Sequence, residues 1–434
     1  MRRILASAFC ILILASCHDR SFEDDAASCE KEYKLEQVVV FSRHNIRPPL
    51  TKYGSVVDSI TPHHDEWHNW SVPPGELTIR GGISETELGA YFRKWLESEG
   101  LIPRNWQPGR REVRFYANCL QRTVGTARCF AAGLAPAADI KVEYKPRTKD
   151  LIFLPILKGI NEDFCSEARR ERSALWGERG YEALTDSLRE SFRVLEEVLD
   201  FEESMYFEAH GRHLGEGPFE IVDENDNEPR VLGLPRVAIN ASDALVLQFY
   251  EEPDLEKAAF GHSLTIEDWE RIARIKDCYV DMQFAAPVVC LNTGCGALKE
   301  ISRELGKKGR KFTFLCGHDS TLLCMLTALG AEPYNLEGAL EKKTPISLKL
   351  LFERFSKDGE EYARLRLVYP GWQQLRELPI MDIDNPPLSC PVSLKGLNAN
   401  EDGYYRYSDV KKRLNAATAA RAQACKGIIP DYLR

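Results

Sequence analysis

Short apolar runs at three distant places in the chain predict buried β-strands. Each has the length of a strand and is rich in β-branched or aromatic residues: 37–42 (QVVVFS), 113–118 (VRFYAN) and 311–317 (KFTFLCG). Strands that are apolar on both faces are typical of a largely parallel sheet covered by helices. Two later segments, 346–352 and 363–368, also predict strands.

A helical pattern follows each of the three strands. Apolar side chains recur on one side of the segment 84–99, and helices rich in leucine and small residues are predicted at 123–134 and 320–329. Strands that alternate with helices in this way indicate the α/β class.

A change of pattern in the middle of the chain predicts an insertion. From about 161 to 213 the sequence is highly charged and helical, which indicates helices with a solvated surface. We expect residues 31–145 and 270–434 to form an α/β domain and residues 146–269 to form a smaller, mainly helical inserted domain. The length of 434 residues, 44% of them hydrophobic, is sufficient for both.

The first 17 residues predict an export signal. Arg2 and Arg3 precede an apolar run that is too short to cross a bilayer and that ends in Leu-Ala-Ser-Cys. This ending is similar to the bacterial lipobox, in which the cysteine, here Cys17, carries lipid. An ordinary cleaved signal is the alternative. The polar, acidic residues 18–30 would form a tether, so we expect a periplasmic or cell-envelope protein that contacts a membrane only through its anchor.

Export bears on the 13 cysteines of the sequence. Cys10 would leave with the signal and Cys17 would carry lipid, and the remaining odd number would face an oxidising compartment. We therefore expect disulfides and at least one unpaired thiol; the pairing stays open.

The net charge of the chain is -9, and it becomes more negative once Arg2 and Arg3 are removed. A field of this sign repels nucleic acid, which excludes that class of partner. A small anionic substrate would need a local cluster of arginines.

Such a cluster is predicted at the ends of the three strands. In open α/β sheets, ligands gather at the carboxyl ends of strands, opposite helix N-termini. The polar residues that follow the strands are Arg43, His44, Arg47, Arg122, His318 and Asp319.

These residue types suit the cleavage of a phosphate ester, which needs a nucleophile, donors for three anionic oxygens and an acid for the leaving oxygen. His44 could attack through one ring nitrogen while a hydrogen bond holds the other. Arg43 and Arg47 offer planar donor forks. Asp319 could protonate the leaving alcohol and then activate water; its alternative role is a helix N-cap, and the two roles are compatible. Asn45 suits a backbone with positive φ directly after the nucleophile.

A metal hydrolase and a non-catalytic binding protein are the two alternative classes of protein. The segment 63–68 (HHDEWH) contains metal-ligand residues, but it lacks the His-Glu-x-x-His order and a helical context, so a loop at the substrate rim is favoured. Activity that survives a chelator would exclude a catalytic metal and support the loop at the substrate rim. A non-catalytic, lipid-anchored protein that captures phosphate or sugar is the second alternative, and the presence of His44, both flanking arginines and Asp319 argues against it.

Arg-His-x-x-Arg-x-Pro at 43–49 with His-Asp at 318–319 resembles the signature of the histidine acid phosphatases, the second branch of the histidine phosphatase superfamily. Gln-Arg-Thr at 121–123 is similar to the family's middle arginine segment, and the resemblance extends from about 38 to 403. It implies a mixed central sheet flanked by helices, as in phosphoglycerate mutase, with an inserted helical domain. It also implies that His44 forms a phosphohistidine and that Asp319 is the proton donor. The phosphate-binding residues that it implies are Arg43, Arg47, Arg122 and His318. No metal or other cofactor is implied.

Within this family, Asn45 stands where phytases and many acid phosphatases have glycine. Arg-His-Asn at 43–45, the segments 72–78 and 247–251, and Ser320 resemble the glucose-1-phosphatase subgroup. This resemblance implies glucose 1-phosphate or a related sugar phosphate as substrate, and leaves a phytase acting on inositol phosphates as the alternative.

Overall fold

The computed structural model of this chain describes residues 32–50, 56–146, 149–217 and 219–434. The predicted signal, its Cys17 and the tether at 18–30 lie outside the described residues. The residues from Tyr33 to Arg434 form one compact unit.

A mixed sheet forms the centre of the molecule, as expected from the family resemblance. Its strands run in the order β10-β8-β7-β1-β6-β2-β3, and β9 pairs with β8. The bounds of these strands are β1 Lys34–Arg43, β2 Val113–Ala117, β3 Val142–Glu143, β6 Phe312–Gly317, β7 Lys349–Lys357, β8 Glu360–Tyr369, β9 Leu388–Pro391 and β10 Tyr405–Arg406. Strands β1, β6, β2 and β3 are parallel, whereas β7 joins β1 antiparallel and pairs antiparallel with β8. The expectation of a largely parallel sheet is therefore right for one half only.

Helices cover the sheet and form the rest of the molecule. Before the middle of the chain they are α1 Val56–Ser59, α2 Ile79–Ser98, α3 Gln121–Leu134, α4 Glu162–Ala174, α5 Tyr181–Val198 and α6 Met205–His210. After it they are α7 Leu234–Glu251, α8 Leu255–Ala258, α9 Ile266–Phe284, α10 Pro287–Thr293, α11 Cys295–Leu305, α12 Asp319–Leu329, α13 Trp372–Glu377, α14 Tyr407–Ala419 and α15 Arg421–Ala424. Short 3-10 turns lie at Phe201–Glu203 and Asp431–Leu433, and a hairpin pairs β4 Phe219–Val222 with β5 Arg230–Gly233.

Alternate residues of β1 pack into two separate cores, which places a helical layer on each face of the sheet. Val38 and Val40 belong to a core with residues of α2 and α3, and Val39 and Phe41 belong to one with residues of α11, α12 and α14. Helices α2 and α3 cross at Gly89, where an added Cβ would lie 2.2 Å from the backbone of Phe130. Only glycine permits this approach. These layers hold the strand ends in fixed positions.

A further core lies among α5, α7 and α9, with Leu188, Leu195, Leu245 and Trp269 fully buried in it. The segment 146–269 is mainly helical. The predicted boundary between residues 269 and 270 falls inside α9, so that helix runs across it. The division into two domains stays a prediction.

Ten cysteines lie among the described residues, and all are free thiols. The expectation of disulfides is wrong for this part of the chain. Several of these side chains are packed in the apolar cores, Cys290 and Cys324 among them, and burial raises the pKa of the Cys290 thiol well above its ordinary value. Such thiols serve as small apolar side chains. No helix in the described ranges is long and apolar enough to cross a membrane.

Candidate active site

The parallel pairing of β1 with β6 brings two of the predicted site segments together. Arg43, the last residue of β1, is in register with Gly317, the last residue of β6. The backbone N–H of His44 donates to the carbonyl of Gly317 over 3.1 Å. The rings of His44 and His318 consequently lie edge to face, with centroids 5.5 Å apart.

His44 is held in one tautomer by its own loop. Its Nδ1 lies 2.8 Å from the backbone carbonyl oxygen of Asn45, which can only accept, so Nδ1 carries the hydrogen. Only 3% of the residue is exposed. Burial, together with the positive charge of Arg122, lowers the pKa of His44 well below its ordinary value. The ring is therefore neutral, and Nε2 keeps the lone pair that a nucleophile requires.

Three arginine side chains surround this ring, although they come from different elements. The guanidinium of Arg43 donates to Glu341 Oε1 over 2.7 Å and lies 3.3 Å from Asp319 Oδ2. That of Arg47 is 3.0 Å from Asp243 Oδ2. Arg122, in the first turn of α3, donates to the carbonyl of Gly75 over 3.2 Å. Burial and the nearby Arg47 lower the pKa of Arg122 to about 10, which leaves it charged at working pH.

Each of the four residues expected to hold phosphate also has a buried donor that no described residue accepts from. These atoms are Nε of Arg43, Nε of Arg47, Nε of Arg122 and Nε2 of His318, which is a donor when it carries the hydrogen of the ring. A buried donor without an acceptor costs about 1–3 kcal/mol. An anionic group with several oxygens placed here would remove that cost.

The third segment begins helix α12. His318 is the N-cap residue and Asp319 is the first helical residue, so the alternative role of Asp319 as the N-cap is wrong. Its Oδ1 accepts the backbone N–H of Ser320 over 2.9 Å, which turns Oδ2 toward Arg43 and Lys276. Burial would raise the pKa of Asp319, but the charges of Arg43 and Lys276 outweigh it and hold that pKa well below its ordinary value. Burial and Arg122 lower the pKa of His318 to about 3.

Three charged residues in this site were not predicted from the sequence. Lys276 of α9 lies 2.6 Å from Asp243 of α7 and 3.5 Å from Asp319. Glu341 precedes β7 and pairs with Arg43. Asp243 is the only charged residue in the segment 237–250, and a lone charge on an otherwise apolar helix was the available signal. Lys276 and Glu341 have charged neighbours in the sequence, so their own charge does not distinguish them as site residues.

Asn45 has a different role from the one expected. The φ angle of Asn45 is not positive, so the expected left-handed backbone conformation is wrong. Its backbone N–H donates to Thr126 and its side-chain amide donates to Glu85 Oε2 over 3.0 Å. Glu85 forms an ion pair of 2.9 Å with Lys349, and both side chains are fully buried. This buried network supports the loop that carries His44.

A cavity elsewhere among the described residues does not contain these groups. It has a volume of about 670 Å³ and is lined by Glu171, Asp281, Tyr334 and Lys343, among others. None of the predicted site residues lines it.

Comparison with known proteins finds relatives over most of the chain. Residues 34–163 match the histidine phosphatase superfamily (branch 2). Glucose-1-phosphatase of Salmonella typhimurium is 33% identical over 90% of this chain and 94% of its own length, and glucose-1-phosphatase of Providencia rettgeri is 30% identical over 87% and 90%. The crystal structure of a phytase from Citrobacter braakii superposes with a TM-score of 0.81 at 26% identity, covering 91% of this chain and 99% of that one.

The fold and the relatives together define an enzyme that hydrolyses phosphoric monoesters. The chain belongs to branch 2 of the histidine phosphatase superfamily, the histidine acid phosphatases.

Proposed function

We propose that this enzyme is an exported acid phosphatase that hydrolyses glucose 1-phosphate or a related sugar phosphate through a phosphohistidine on Nε2 of His44. The observation that carries the mechanism is the contact between Nδ1 of His44 and the carbonyl of Asn45, which leaves Nε2 unprotonated. Export rests on the signal-like sequence of residues 1–17, and the sugar phosphate rests on the names of the two relatives.

In the first step, the phosphate oxygens accept hydrogen bonds from Arg43, Arg47, Arg122 and His318. Nε2 of His44 attacks phosphorus, and the bond from phosphorus to the ester oxygen breaks. The electron pair of that bond goes to the leaving oxygen, which takes a proton from Asp319. In the second step, water attacks the phosphorus of the phosphohistidine while Asp319 accepts a proton from the water. The bond from phosphorus to Nε2 breaks, its electron pair returns to Nε2, and inorganic phosphate leaves.

The proton on Asp319 has to arrive with the substrate. In the free enzyme Arg43 and Lys276 keep this carboxyl ionised. A bound phosphate places negative charge beside it and offsets those cations, which raises the pKa of Asp319. Since the second pKa of a phosphate monoester is about 6, a substrate that binds below that pH carries a proton into the site. This is why we expect an acidic optimum.

Phytase activity is the second candidate. It is favoured by the phytase from Citrobacter braakii, whose fold this chain shares over nearly the whole of that protein. Both candidates use the same phosphate-binding residues and differ only in the group attached to the phosphate.

A panel of glucose 1-phosphate, phytate and an aryl phosphate at acid pH tests the substrate. We expect the highest kcat/KM with glucose 1-phosphate; a higher value with phytate would replace this substrate and leave the mechanism standing. Rapid quenching into alkali with phosphorus-labelled substrate tests the intermediate. We expect labelled, acid-labile protein in the wild type and none in His44→Ala, and more than trace turnover by His44→Ala would overturn the nucleophile assignment.

A further inference from the structure

A cluster of metal-ligand residues lies outside the active site. Ligand atoms of His63, Asp200 and His262 all lie within 4.8 Å of one another. Nε2 of His63 is 2.7 Å from Asp200 Oδ2, and Nε2 of His262 is 3.3 Å from the same oxygen. The three residues come from the loop after α1, the turn after α5 and the turn after α8, so they are brought together by the fold and not by a sequence motif.

The contacts of His63 call for positive charge at this place. Its Nδ1 is 2.9 Å from Glu66 Oε1 and its Nε2 is 2.7 Å from Asp200 Oδ2, and both oxygens belong to carboxylates. A neutral imidazole has one N–H and can donate to only one of them, whereas a protonated ring can donate to both. A metal ion between Nε2 and the Asp200 oxygen is the second way to satisfy both carboxylates. The contact of Nδ1 with Glu66 then fixes the tautomer, as carboxylates commonly do for histidines that bind metals.

The spacing of the atoms is close to what zinc needs. Zinc at about 2.0–2.2 Å from nitrogen and oxygen ligands in a tetrahedron separates those ligands by about 3.4 Å. The His262 contact already has that length, at 3.3 Å, whereas the His63 contact of 2.7 Å has to open by a small side-chain movement. The side chains are 20% (His63), 36% (Asp200) and 30% (His262) exposed, so an ion can enter and water can complete the shell.

The backbone around the cluster is held in uncommon conformations. Asp200 and Phe260 have φ of 45° and 51°, in the left-handed region that a bulky residue such as phenylalanine rarely adopts. The ring of Phe260 lies parallel to that of His63, with centroids 5.2 Å apart. Such strained residues are concentrated at sites that clamp a ligand.

We propose that His63, Asp200 and His262 bind a zinc ion, with water as the fourth ligand and Glu66 supporting His63. Two imidazoles and one carboxylate, with no thiolate, are a ligand set that suits zinc. The ion would tie the loop after α1 to the turns after α5 and α8. It shares no residue with the phosphate-binding site, so it stabilises the fold and takes no part in phosphoryl transfer.

The test measures zinc on the full chain after stripping with a chelator, incubation with excess zinc and desalting. We expect about one more equivalent of zinc per chain in the wild type than in His262→Ala or Asp200→Asn. The matched control is His64→Ala, which removes the neighbouring exposed histidine and should keep the ion. Repeating the comparison in a His44→Ala background removes any contribution of the His44 imidazole.

Two further readouts keep the outcome decisive if a ligand variant folds poorly. Glu66→Gln retains all three ligands and should weaken zinc binding about 10- to 100-fold, as loss of such a support does elsewhere. Added zinc should raise Tm in the wild type and in His64→Ala but not in His262→Ala. The zinc site would be overturned if the wild type and His262→Ala held equal amounts of zinc, or if His64→Ala lost as much zinc as His262→Ala. Neither result would bear on the phosphatase mechanism, which predicts full turnover in the presence of a chelator.

Discussion

Single contacts decide the protonation of the groups that react. In the free enzyme His44 is neutral because burial and the positive charge of Arg122 both lower its pKa. Asp319 is ionised because the charges of Arg43 and Lys276 outweigh the effect of burial on its pKa. A nucleophile is thus available at acid pH, where an exposed histidine would be protonated.

The proton donor can be tested through the leaving group. Asp319→Asn removes the acid but keeps the size of the side chain. We expect esters with poor leaving groups, such as glucose 1-phosphate, to lose about 10²–10⁴ in kcat, since that is the usual contribution of a general acid. Aryl phosphates with acidic phenols need no proton and should lose far less in a pre-steady-state measurement of phenol release. Equal slowing across the series would remove Asp319 from this role.

Lys276 should act on the reaction through Asp319. Lys276→Gln removes one of the two cations that depress the pKa of that carboxyl, so the pKa should rise. The limb of the pH profile of kcat that falls with increasing pH should therefore move to higher pH. Lys342→Gln, which removes a lysine paired with Glu270, is the control and should leave the profile in place. A shift to lower pH would contradict this assignment.

At the scale of the elements, the loop after β1 is held by the buried ion pair of Glu85 on α2 and Lys349 on β7, because Asn45 of that loop donates to Glu85. Removing one member leaves an unpaired charge in the interior, which costs about 3–5 kcal/mol. We expect Lys349→Met to lower the free energy of unfolding in urea by that amount, and Glu85→Leu in the same chain to recover much of it. Arg193→Ala, at an exposed pair on α5, should change little. If Glu85→Leu does not restore the free energy of unfolding, the loss in Lys349→Met is not caused by breaking this ion pair.

The elements were more predictable than their pairing. Uninterrupted apolar runs identified β1, β2 and β6 and their carboxyl ends, because the buried centre of a parallel sheet needs such sequences. Nothing in a single run gives the direction of its neighbour, so the antiparallel addition of β7 to β1 was not predicted. The six strand-end residues followed from position alone. Asp243, Lys276 and Glu341 reach the site from helices and a loop whose packing no local pattern specifies.

Over the whole molecule, the site makes stability depend on pH. The folded pKa values of His44 and His318 lie below the ordinary value of 6.5, and that of His318 is about 3. Between those limits the unfolded chain binds more protons at these two positions, so their contribution to the free energy of unfolding falls as pH decreases from about 6.5, by up to about 1.4 kcal/mol per pH unit for each histidine. Glu171 and Asp277, whose pKa values burial raises to about 7, contribute in the opposite direction. Because the pKa of Asp319 is depressed, this residue lowers the free energy of unfolding further only at pH values below the ordinary pKa of an aspartate.

Urea unfolding between pH 4 and 7 measures this dependence. His318→Asn should reduce the slope by about one proton, whereas His210→Asn, at an exposed histidine at the end of α6, should leave it unchanged. A slope that is the same in all three proteins would mean that His318 is not buried in its neutral form.

The register of Arg43 against Gly317 has a consequence for when the enzyme becomes active. The nucleophile follows the first strand of the sheet, whereas its acid follows a strand in the last third of the chain. A newly made chain is therefore inactive until its last third has been synthesised and β6 has paired with β1.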